Sequence, residues 1–123
     1  ESAIIDGYGH NNDSEGMKLE MYDFNNTLML LIDYVHNHPN TLLVVTADHE
    51  TGGTGIAYKH HEVGKKEKVS LNFSTKGHTG TVVPVFAYGP GAECFAGIMK
   101  NTDIPKKLES LMKNDFKTQR SKL

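Results

Sequence analysis

The chain has a single cysteine, Cys94, among its 123 residues, so no internal disulfide can form. Its neighbours Phe95, Ala96 and Ile98 lead us to expect a buried, inert thiol there. No apolar run is long enough to span a bilayer, and no stretch reads as a secretory signal. Charge of one sign is not in excess either. The net charge is −2 with seven histidines neutral, and nothing in it points to nucleic acid. Lys65-Lys66-Glu67-Lys68 is a short mixed run of the kind found in solvated loops. The closing Ser121-Lys122-Leu123 has the form of a peroxisomal address, but a lysine-rich tail produces such an ending by chance. Internal repeats and low-complexity segments are lacking. What remains, 37% hydrophobic and 23% charged residues, suits one modest α/β core.

Chemistry concentrates in three short segments. Leu42-Leu43-Val44-Val45 reads as a buried parallel strand, and Thr46-Ala47-Asp48-His49-Glu50-Thr51-Gly52-Gly53 follows as the loop at its carboxyl end. Asp48 and His49 there are either metal ligands or a strand-end pair bonded to a neighbouring loop. At the start of the chain, Ile4 and Ile5 read as the end of a second buried strand. Asp6 then lies at its edge, and His10 lies beyond two glycines that let the loop fold back. Carboxylate oxygen and neutral imidazole nitrogen are both ordinary zinc ligands. The third segment is Lys76-Gly77-His78-Thr79-Gly80, before a strand over residues 82–88 in which Pro84 marks an edge or an unpaired NH.

Between the first two segments, Met21, Phe24, Leu28, Leu31, Ile32 and Val35 recur at intervals of three and four, which predicts a helix of about five turns stopped by Pro39 and Asn40. Strand, helix and strand make a right-handed βαβ unit that would bring Asp6 and Asp48 to one sheet edge. Burial of the helix face, at roughly 1.5–3 kcal/mol per large side chain, would then be the main local source of stability. His36 and His38 sit at the helix end, where the macrodipole favours a cation. A short strand over residues 56–58 leads to His60 and His61. In extended chain these point to opposite faces, so a solvated loop is the expectation rather than a metal pair. We read residues 59–77 as a loop insertion. Asn101 or Thr102 should cap a closing helix with Pro105 in its first turn and Ile104, Leu108, Leu111 and Met112 on one face. Residues 113–123 should form a polar, flexible tail.

Taken in order, Glu-x4-Asp-x3-His, the long helix, Thr-Ala-Asp-His-Glu-Thr-Gly-Gly, Gly-His-Thr-Gly and Tyr-Gly-Pro-Gly-Ala-Glu resemble the carboxyl-terminal part of alkaline phosphatases. The likeness runs from Glu1 to about Met112. It implies a mainly parallel sheet with flanking helices, part of a three-layer sandwich, and a phosphomonoesterase that uses two zinc ions and one magnesium. The resemblance assigns Asp6, His10 and His78 to the first zinc, Asp48 and His49 to the second, and Glu1 to magnesium. It also implies a periplasmic or exported enzyme, with a homo-oligomer possible. The family's serine nucleophile, phosphate-clamping arginine and remaining metal ligands lie upstream of the first motif. The chain therefore reads as a fragment that needs an amino-terminal partner segment and is inactive alone. Two alternatives stand beside this reading. One is a phosphodiesterase or phosphomutase of the same superfamily; the other is a non-catalytic metal- or partner-binding module.

Overall fold

The structure, a computed structural model, describes residues 1–58 and 69–120, of which 114–120 are described by backbone alone. The elements in order are α1 (Ile4–Asn11), α2 (Ser14–Asn37), β1 (Leu43–Thr46), β2 (Glu50–Thr51), β3 (Gly55–Tyr58), β4 (Val69–Asn72), β5 (His78–Thr79), β6 (Val85–Tyr88), a 3₁₀ turn (Ala92–Phe95) and α3 (Asp103–Arg120). They group into two units: residues 1–30 with 49–83, and residues 31–48 with 84–123. The expected pair His60 and His61 lies outside the described residues, as does the lysine-rich run.

In the first unit, residues 4–11 are helical where a strand end was expected. Two isoleucines are too short a β-branched run to impose extended chain against the local alternative. The turn closes on itself through the left-handed Asn12, whose NH bonds the Gly9 and Tyr8 carbonyls. The α2 helix follows at once because the Asp13 carboxylate accepts from the NH groups of Glu15 (3.1 Å) and Gly16 (3.0 Å), capping the first turn. Gly16 is required there, since a Cβ would strike the Tyr8 ring. Two antiparallel ladders complete this unit. One pairs β2 with β5; the other pairs β3 with β4, from Gly55 opposite Asn72 to Tyr58 opposite Val69. The part of the expected insertion that is described thus contains a paired strand.

In the second unit, β1 pairs antiparallel with β6, Leu43 opposite Tyr88 and Thr46 opposite Val85. Pro84 directly precedes β6, where a missing NH breaks no ladder bond, and its carbonyl accepts from the Thr46 hydroxyl at 3.2 Å. The chain turns after β6 through Gly89, which lies so close to the Thr41 carbonyl that no side chain fits. Phe95, 4% exposed, is the best-buried apolar side chain described. Asp103 opens α3 by accepting from Lys106 Nζ at 3.0 Å and from Lys100 NH at 3.3 Å.

Four expectations are corrected. All ladders among the described residues are antiparallel pairs, so no parallel βαβ unit forms among them, and Leu43, Val44 and Val45 of β1 are only half-buried. Asp6 is on a helix rather than a strand edge. The α2 helix forms as the periodicity requires, yet of its apolar positions only Met17 and Val35 are buried, while Met21 is 48% and Leu31 41% exposed. Helical periodicity records which face is apolar; it does not supply the surface that covers it. Cys94 is likewise exposed rather than buried, because the 3₁₀ turn directs Phe95 inward in its place.

Candidate metal centre

Helix α1 sets Asp6 and His10 four residues apart, one turn up the same face, with His10 Nε2 3.4 Å from Asp6 Oδ2. Strand β5 brings His78 to both: its Nε2 lies 3.2 Å from His10 Nε2 and 3.6 Å from Asp6 Oδ1. The His10 Nδ1 sits 2.6 Å from the Lys76 carbonyl oxygen. A carbonyl only accepts, so Nδ1 carries the hydrogen and Nε2 keeps its lone pair toward the other two residues.

The three residues offer ligand atoms all within 4.8 Å of one another. Ligands held about 2.0–2.1 Å from a tetrahedral zinc lie about 3.3–3.4 Å apart. Separations of 3.2, 3.4 and 3.6 Å match the face of such a tetrahedron. The donor set of one carboxylate and two imidazoles, all part-exposed, fits zinc with a fourth position left over.

The hydroxyl of Thr51 donates to Asp6 Oδ1 at 2.5 Å and holds this carboxyl below the usual range. Partial desolvation opposes the effect, and the His10, His49 and His78 rings reinforce it. Ligand loops need rigid supports, and Glu50 provides one. Its carboxylate accepts from the Thr79 hydroxyl and from the NH groups of Thr54 (2.7 Å) and Gly53 (3.2 Å). Those bonds, with the Thr79 hydroxyl first, lower its pKa. They also tie the Gly52-Gly53 turn to β5, whose His78 is opposite Thr51. Gly52, at φ 88°, cannot be replaced without strain, and a Cβ there would come within 2.8 Å of Phe73 and 3.0 Å of the Gly9 carbonyl.

Of the residues singled out in the sequence, Asp6, His10 and His78 come together. His49 joins them from the side, its ring stacked on His78 with centroids 3.6 Å apart. Asp48 is exposed and falls in the second unit, and Glu1 is exposed ahead of α1, outside the three-residue cluster. Sequence reasoning missed the supporting roles of Glu50, Thr51, Thr79 and the Lys76 carbonyl. The first three stand inside the quoted motifs, and polar residues adjoining ligands were the available signal. The Lys76 carbonyl left none, because any residue could supply it.

The family model for alkaline phosphatase matches residues 1–70 and 56–114. Alkaline phosphatase 3 of Bacillus subtilis is 28% identical over 184 aligned residues, covering 95% of this chain and 40% of its own length. Streptomycin-6-phosphate phosphatase of Streptomyces griseus is 30% identical, covering 85% of this chain and 26% of its own length. The alkaline phosphatase from the Antarctic bacterium TAB5 superposes with a TM-score of 0.83 at 38% identity, over 91% of this chain and 34% of that one. Magnesium is bound in the M3 site of two substituted forms of the TAB5 enzyme. The chain thus spans less than half the length of the relatives it matches, and over that span carries the α/β fold of their domain. On this match the chain belongs to the alkaline phosphatase family.

Proposed function

We propose that these residues furnish zinc-holding loops of a zinc- and magnesium-dependent phosphatase that hydrolyses phosphate monoesters through a serine nucleophile supplied outside the 123 residues. The observation that carries this reading is the Asp6–His10–His78 triangle, with sides of 3.2–3.6 Å. When bound, zinc supplies Lewis-acid stabilisation of charge developing on a phosphoryl or leaving-group oxygen. The chain's own residues prepare that site. Asp6 stays ionised under its Thr51 hydrogen bond, and the Lys76 carbonyl orients His10. Asp48 and His49 are assigned to a second zinc and Glu1 to magnesium, as the resemblance implies.

The same reading places the described helices in the three-layer sandwich of an exported, periplasmic or secreted enzyme. No helix of the described residues is long and apolar enough to cross a membrane. Exposed apolar residues on α2, with Leu19 at 68% and Leu30 at 71%, are assigned to packing against the amino-terminal part of that enzyme or against a second subunit.

Hydrolysis of nitrophenyl phosphate tests the proposal. The complete enzyme should turn over at about 1–1000 per second, lose activity on chelation and lose it in His78→Ala. The 123 residues alone, with zinc and magnesium added, should show no turnover in that range. Activity of the complete enzyme that survives both chelation and His78→Ala would overturn the reading.

A further inference from the structure

We propose that Thr51 is the positioning residue that joins the Asp6–His10–His78 triangle to His49, carrying one hydrogen-bond chain from imidazole to carboxylate through its hydroxyl. The inference rests on the zinc reading above and extends it to a residue that is no ligand itself.

A hydroxyl has one hydrogen to give. Asp6 Oδ1, 2.5 Å away, belongs to an ionised carboxylate that can only accept, so the hydrogen points there. The lone pairs of the same oxygen then face His49 Nδ1 at 3.2 Å, which must donate. The Glu50 carbonyl, 3.3 Å from that nitrogen and an acceptor only, requires the same tautomer independently. His49 therefore carries its hydrogen on Nδ1 and its lone pair on Nε2, the arrangement the Lys76 carbonyl gives His10.

The other branch of the side chain is fixed as well. A Cβ added at Gly9 would lie 2.9 Å from Thr51 Cγ2, so the methyl rests directly against the backbone that leads to His10. Across the ladder Thr51 is the partner of His78. One residue thus touches Asp6 by its hydroxyl, His49 by its lone pair, the approach to His10 by its methyl and the strand of His78 by its register. Outer-shell partners of this kind orient ligands, and their loss weakens metal binding.

Thr51→Val keeps the shape and removes the hydroxyl; Thr51→Ser keeps the hydroxyl and removes the methyl. Zinc affinity of the full chain, read by competition with a chromophoric chelator, should fall about 10–100-fold in Thr51→Val and stay within about threefold in Thr51→Ser. Equal affinity in the unaltered chain and Thr51→Val would overturn the proposal and leave the zinc reading standing. So would a loss confined to Thr51→Ser, which would make packing on Gly9 the cause. Zinc ignoring the unaltered chain would overturn the zinc reading itself. Should circular dichroism show Thr51→Val unfolded, ¹⁵N chemical shifts of the unaltered chain at mildly alkaline pH decide the matter. Nδ1–H on His49 supports the hydrogen-bond chain, and Nε2–H overturns it.

Discussion

Hydroxyls, carbonyls and close-set glycines tie the first unit together, whereas a strand ladder and a few apolar side chains make the second. Glu50, Thr51 and Thr79 in the first unit bond to ligands or to the turn that carries them, and Gly9, Gly16 and Gly52 are buried because neighbours occupy the space of a side chain. In the second unit, β1 lies on β6, Phe95 is buried, and Gly91, at φ 81°, leaves room for Leu111. Neither unit has a large core. The first spends its side chains on holding polar atoms a few ångströms apart, a geometry that apolar packing, being non-directional, cannot specify.

The contrast can be broken most severely at Phe95. Phe95→Ala should destabilise the second unit by about 3–5 kcal/mol, the usual effect of emptying a buried aromatic site. Thermal denaturation should show this, while the zinc isotherm of the protein that remains folded should match that of the unaltered chain. A parallel loss of zinc affinity below the transition would mean that the units are not separable in this way.

His78→Ala makes the complementary test. The strongest zinc phase in titration calorimetry should weaken by at least about a hundredfold, more than the loss of an outer-shell partner produces. Acid should strip zinc from the unaltered chain too, because imidazole must be neutral to bind it. An unchanged isotherm in His78→Ala would rule out the cluster as a metal site.

Glu50→Gln sharpens the comparison further. All groups facing this carboxylate are donors, and an amide nitrogen cannot accept from them. Amide exchange at Gly53 and Thr54 should quicken roughly tenfold as the turn loosens, with β1 and β6 unaffected.

The smallest effect is expected at Asp103, on the surface of the second unit. Lys106, bonded to its carboxylate, is the main cause of its lowered pKa, helped by the Lys100 NH. A carboxyl lowered on folding stabilises the protein above the ordinary aspartate pKa, and that contribution fades as pH falls through the lower, folded value. Asp103→Asn should therefore lower the melting temperature slightly at neutral pH, and the difference should disappear in strong acid. Salt should shrink it as well.

Much of this arrangement is legible in the chain itself. The α2 helix follows from apolar spacing with Asp13 before it and Pro39 after it, and β1, β3 and β6 follow from short runs of Leu, Val, Ile, Phe and Tyr. Asp6 and His10 read as a pair in the sequence, yet they sit on a helix rather than at a strand end, and Asp-x3-His is itself the one-turn spacing of a helix. The glycines suggested a loop. Gly9 proves to be helical and buried, required by the nearness of Thr51, a residue 42 positions further along the chain.

Composition and local pattern determined which residues could bind a metal, the course of α2 and the runs that become β1, β3 and β6, and that no internal disulfide can form, while no helix of the described residues is long and apolar enough to cross a membrane. These depend on neighbours within a few residues, or on the side-chain chemistry itself. Strand direction, the stacking of His49 on His78, the tautomer of His10 and the exposure of α2 were decided only by tertiary structure. Each depends on an atom far away in sequence, such as a carbonyl at Lys76 or a hydroxyl at Thr51. A hydrogen bond has direction and a reach of about 3 Å, and residue order alone contains neither.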